Sequence, residues 1–160
     1  MAERIKDYEV FWAYYLYEHR DPRSRWLHLL GTTGWLTCVG LSVAASPLIF
    51  PAAFAVFGGA VALGLRKGEG EGPNWAHMAV AVLAPSLAAP LTFPAGVVFA
   101  YAMAWTGHFI IEKNRPATFK YPLWSFVSDF RMLSHMLRGR LWTGDPLVEL
   151  GLTSRVPSAV

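Results

Sequence analysis

The sequence has a single cysteine, Cys38, among 160 residues, so no disulfide can form within the chain. A thiol placed inside an apolar run reads as packing. There is no Asp, Glu, Lys or Arg between Leu29 and Leu65, and none between Gly72 and Ile111. Nor do these runs show the polar stripe that a soluble bundle helix turns to water, which argues against a soluble helical protein. Phosphate-binding glycine loops, paired-cysteine zinc motifs and a Gly-x-Ser-x-Gly elbow are missing, and with them the enzyme classes those motifs serve. No nucleic-acid recognition motif accompanies the net charge of +3, so the basic balance is assigned to a membrane face. Met1 to Glu9 is mixed in charge and lacks the apolar core of a signal peptide, so the mature chain is expected to begin near Met1.

Hydrophobic residues make up 54% of the chain against 16% charged. Each uncharged run is about twice the ~20 residues that take a helix across ~30 Å of hydrocarbon, and each is read as a helical hairpin. The breaks fall at Ser46-Pro47-Leu48-Ile49-Phe50-Pro51 and at Ala89-Pro90-Leu91-Thr92-Phe93-Pro94, where proline removes a backbone donor and restricts its neighbour. Their likeness fits either a duplicated hairpin or two solutions to one turn. The expected spans are 29–46, 50–65, 75–89 and 94–111, all short for a bilayer.

All fourteen Lys and Arg lie in residues 1–28, at Arg66-Lys67, or from Lys113 onward. An even number of crossings puts these three regions on one side, which the positive-inside rule makes cytoplasmic, both termini included. The fold class is therefore an all-α integral membrane bundle of about four short transmembrane helices in one domain, 1–160. Residues 1–28 form an N-terminal interfacial helix and turn, 29–111 the four hydrophobic helices, and 112–160 a basic loop, interfacial helix and tail.

The interfacial helix 5–19 aligns Tyr8, Phe11 or Trp12, Tyr15 and His19. Asp21-Pro22 is a helix start, since Asp caps and Pro fits the first helical position. The helix 122–140 sets Leu123, Phe126, Val127, Phe130, Leu133 and Leu137 on one face and Ser128, Arg131, His135 and Arg138 on another, which suits a membrane interface.

A turn at Arg20-Asp21 can bring His19 and His28 together, while His108 and Glu112, four apart, share a helical face at the same membrane level. Imidazoles with a carboxylate suit iron, zinc or manganese. The same residues also read as interfacial histidines bonded to backbone and a helix-end hydrogen bond. His77 reads as an interfacial anchor and His135 as a solvated or headgroup-facing residue. The cationic stretch Lys113 to Lys120 either holds an acidic head group, with Arg115 offering a fork to a carboxylate, or simply anchors the charged side.

Two blocks, Tyr17-Glu18-His19-Arg20-Asp21-Pro22 through Trp26-Leu27-His28 and Gly107-His108 through Glu112-Lys113-Asn114-Arg115-Pro116-Ala117, resemble the Mpo1-like family over roughly residues 8–120. The resemblance implies an Fe(II)-dependent dioxygenase of fatty-acid α-oxidation, taking a 2-hydroxy long-chain fatty acid and O2 to the acid one carbon shorter. It implies His19, His28 and His108 as iron ligands, and Glu112 as a fourth ligand or a residue orienting one of them. Lys113 and Arg115, by their charge, would face the substrate carboxylate. Phe119 to Arg140 departs from the yeast relative and looks like a bacterial branch. The expected location is a bacterial inner membrane, or the endoplasmic reticulum in a eukaryote; no oligomeric state is specified. A metal-dependent lipid hydrolase using zinc, and a non-enzymatic lipid-binding scaffold, are the alternatives.

Overall fold

A computed structural model describes residues 4–157; the chain ends expected on the cytoplasmic side, 1–3 and 158–160, lie outside the described residues. Its elements are α1 (Tyr8–Tyr17), α2 (Pro22–Ala45), α3 (Ile49–Lys67), α4 (Trp75–Ala88), α5 (Thr92–Trp105), α6 (Pro122–Leu137) and the short α7 (Pro146–Glu149). No strand occurs among the described residues. The fold is all-helical, as the composition indicates.

Local chemistry explains the boundaries. The Asp7 carboxylate accepts from Val10 N at 3.0 Å and starts α1; that of Asp21 accepts from Arg23 N at 2.8 Å and starts α2 at Pro22. Both proline breaks are turns, after Ala45 and after Ala88. They face each other at one end of the bundle, where the Ser42 and Thr92 hydroxyls are 2.6 Å apart.

Three helices are long and apolar enough to cross a membrane: Pro22–Ala45, Ile49–Lys67, and Thr92–Glu112, in which α5 runs on without interruption. The remaining apolar helix, α4, has 14 residues. At 1.5 Å per residue it is ~21 Å long, short of the ~30 Å core. Its partner α3 spans the distance beside it.

The hairpins interlock: α2 packs on α5 and α3 on α4, while sequence neighbours α2 and α3, or α4 and α5, touch little. Gly31 permits the first pairing, because a Cβ there would lie 3.1 Å from the Ala100 carbonyl oxygen and 3.2 Å from Met103 Cβ. Close backbone approach through small residues is a usual basis of helix association in lipid, where burial of apolar surface gives no bias.

Two cores result. At the charged end Phe11, Trp12, Tyr15 and Leu16 of α1 pack with Tyr121, Trp124, Met132 and Met136. Near the proline turns Trp35, Phe50, Phe57 and Phe93 form an aromatic core. Helix α6 touches both, and its orientation differs from the simple two-face reading: Ser128 is fully buried against the Tyr8 hydroxyl at 3.3 Å, whereas Leu137 is exposed. The reason is that α1 covers the side that composition alone assigns to water. For the same reason His135 is half-buried with its ring stacked on Trp12 at 5.8 Å, not solvated. The start of α6 is pinned by the buried Glu69 carboxylate, which accepts from Leu123 N at 3.3 Å, Trp124 N at 2.8 Å and Asn74 N at 3.1 Å.

Candidate metal centre

Three elements meet where α1 ends. His19 follows the last turn of α1, His28 projects from α2 nearly two turns beyond its capped start, and His108 comes from the continuation of α5. All three rings are buried, and one nitrogen of each lies within 4.8 Å of the others. The His19 and His28 Nε2 atoms are 3.0 Å apart, and the His108 ring centroid is 4.6 Å from that of His19 and 5.3 Å from that of His28.

The opposite nitrogen of each ring is held by an acceptor. His19 Nδ1 donates to the Tyr15 carbonyl at 2.5 Å, His28 Nδ1 to Asp129 Oδ1 at 2.7 Å, and His108 Nδ1 to Asn114 Oδ1 at 2.7 Å. A carbonyl or carboxylate can only accept, and the Asn114 amide is oriented because its Nδ2 donates to the Glu18 carbonyl at 2.8 Å. Each Nδ1 therefore keeps its proton, and the three Nε2 lone pairs converge with no donor among them. Burial first, then the neighbouring His28 and His108, push His19 well below the ordinary imidazole range, so it stays neutral. Facing lone pairs at this spacing, each ring oriented by an outer acceptor, suit a metal ion.

Tyr15 donates its hydroxyl to the same Asp129 oxygen at 2.5 Å, so one carboxylate ties α1, α2 and α6 at the site. Beside it lies Glu18, also buried, with its pKa pushed up to about 7 by burial and then by the charge of Glu112. The fully buried Arg25 guanidinium donates to four carbonyls: His19 at 2.9 Å, Arg20 at 2.7 Å, Leu141 at 2.8 Å and Gly144 at 2.9 Å.

The helix around His108 is not α-helical. Thr106–Glu112 is a π-helical segment, a form concentrated at functional sites. His108 turns to the other histidines, while Glu112 Oε1 accepts from Asp21 N at 2.8 Å at the start of α2, outside the converging trio. Lys113 then takes a left-handed conformation, φ 54°, and reverses the chain so that Asn114 can reach His108.

Lys113 and Arg115 are exposed, and the Arg115 guanidinium lies 4.9 Å over the Phe119 ring. His77 sits against Gly64 of α3, away from the trio. Asp129, Asn114 and Tyr15 are site residues that spacing did not single out. Asp129 leaves one signal in the sequence, a carboxylate between aromatic positions 126 and 130 of an otherwise apolar face.

His28 and His108 form one end of a cleft. From His28, His108, Tyr15 and Asp129 it runs between the helices past Trp35 to Phe93. His108 and Phe93 lie fifteen positions apart on one continuous helix, ~22 Å by the α-helical rise.

Fold and site together define a membrane-associated helical protein with a buried three-histidine site, able to hold a metal ion, at the head of an apolar cleft. The chain belongs to the Mpo1-like family: the profile described as "2-hydroxy-palmitic acid dioxygenase Mpo1-like" matches residues 5–141. No curated protein and no solved structure matches the chain.

Proposed function

We propose that this protein is an Fe(II)-dependent dioxygenase that shortens a 2-hydroxy long-chain fatty acid by one carbon. The observation that carries the reading is the trio of inward Nε2 lone pairs at the head of an apolar cleft, in a chain whose family is named for this activity. The overall change balances with O2 as sole oxidant: RCH(OH)COOH + O2 gives RCOOH, CO2 and H2O. The bond between C1 and C2 breaks, and C2 is oxidised to the new carboxyl.

His19, His28 and His108 would hold the iron, which would supply binding and activation of O2 next to the hydroxy acid. The chain's own residues do the rest. Neutral imidazoles are kept as donors by outer acceptors, Asp129 and Tyr15 line the head of the cleft, and apolar walls hold the tail so that only C1 and C2 reach the histidines. Glu112 supports the centre by securing the start of α2, from which His28 projects.

The test is metal analysis of detergent-purified wild type beside His108→Ala, followed by O2 uptake with 2-hydroxypalmitic acid after anaerobic Fe(II) loading. Wild type is expected to hold near-stoichiometric iron and to consume one O2 per acid; the variant loses both with its helices intact. Stoichiometric zinc with ester hydrolysis, or no metal under either condition, overturns the reading.

A further inference from the structure

The cleft needs a way in. Because α2 faces α5 and α3 faces α4, two seams run along the bundle, one between α2 and α3 and one between α4 and α5. The first is filled with rings: Trp35 of α2 is centred 5.9 Å from Phe57 of α3 and 5.9 Å from Phe126 and Phe130 of α6, with Phe54 stacked on Phe57 at 4.8 Å. Helix α6 is wedged there.

The second seam is lined by slimmer chains, Met78 and Val82 of α4 and Val97 of α5. An apolar groove lies on its outer side, walled by Trp75 and Phe119. Four residues line both the groove and the inner cleft: Val97, Tyr101, Trp105 and Thr118. The two spaces are thus separated by the thickness of a few side chains. Val98, Trp105, Val80 and Leu83 are exposed on α4 and α5, so apolar surface surrounds the groove.

We propose that a single-chain fatty acid reaches the histidine centre sideways from the membrane, through the seam between α4 and α5. The inference rests on the reading that the cleft takes a fatty acid. Tyr101 and Trp105, one turn apart on α5 with ring centroids 5.7 Å apart, form the gate. Arg115, poised over Phe119 at the groove's charged end, meets the carboxylate as the tail slides inward. An acid lying in the leaflet keeps its tail out of water throughout, whereas an aqueous route would first expose every methylene to water.

The experiment uses a 2-hydroxy fatty acid with a photoreactive diazirine near the tail end, in phosphatidylcholine vesicles holding the full chain. Wild type is compared with Ala102→Trp and Val98→Trp, which place bulk in the outer groove and not in the inner cleft. Equal iron content in the three proteins reports an intact centre. The label is expected on Met78, Val82 and Val97 in wild type, with the rate of that labelling slowed ~10-fold or more in the variants, as a steric gate on kon requires. Wild-type labelling rates in both variants, or label confined to the face of α2 and α3, overturn the proposal. Labelling of the seam without O2 consumption leaves the route standing and removes the dioxygenase reading. O2 uptake that neither variant slows does the reverse.

Discussion

Asp129 is the residue whose removal separates holding a metal from merely containing three histidines. One carboxylate oxygen accepts from both His28 and Tyr15, so Asp129→Asn removes the charged acceptor behind the His28 ring and leaves the shape almost unchanged. Metal affinity should fall ~10–100-fold, the usual consequence of losing an outer carboxylate partner, as measured by chelator competition. Tyr15→Phe, which leaves the charge in place, should cost less. An Asn variant with wild-type affinity would mean that His28 needs no such support. The three histidines are legible in the sequence because the motif blocks contain them. Their partners are harder to see: Asp129 is 101 positions from His28, and nothing local marks the pair.

At the scale of elements, the hairpins were legible because proline pairs interrupt long uncharged runs, and α2 because Asp21-Pro22 announces it. The π-helical segment was not, since an apolar pattern read at 3.6 residues per turn has no place for a wider turn. The α2 and α5 contact holds His28 and His108 in register, so Gly31→Leu should part them, costing about 1–3 kcal/mol of overpacking and most of the bound metal while circular dichroism still reports helix. Helix α1 is tied to α6 by the Glu9 carboxylate, which accepts from Arg131 at 2.7 and 2.9 Å. The Arg131 hydrogen bond holds the pKa of Glu9 below its ordinary 4.5. The tether's contribution is therefore complete above pH 4.5 and is lost as pH falls through the depressed value. Being half-exposed the pair is modest in strength, so faster hydrogen exchange across α1 at acid pH, with α3 unchanged, is the expected sign.

For the whole molecule the dominant feature is polarity from end to end. Fourteen Lys and Arg gather at the histidine end, while the proline turns present Leu48, Ile49, Leu87 and Leu91, all more than two-thirds exposed. In a Cys38→Ala background, cysteines at Leu48 and at Leu91 should both react with a membrane-impermeant thiol reagent only from the side opposite Lys67, and labelling of either from the Lys67 side would overturn the expected topology.

The buried Arg25 sets an order on how such a molecule is made. Its guanidinium takes two carbonyls from the His19 turn and two from Leu141 and Gly144, beyond the last of the long apolar helices. During synthesis every histidine of the centre leaves the ribosome before those last carbonyls do. Until they arrive, a cation at the heart of the charged end lacks half its acceptors, and His19 has no settled backbone to stand on. Maturation of the site is thereby placed after translation of the long apolar helices, and a stalled chain ending before Leu141 is denied a finished pocket in which to trap a metal ion too early.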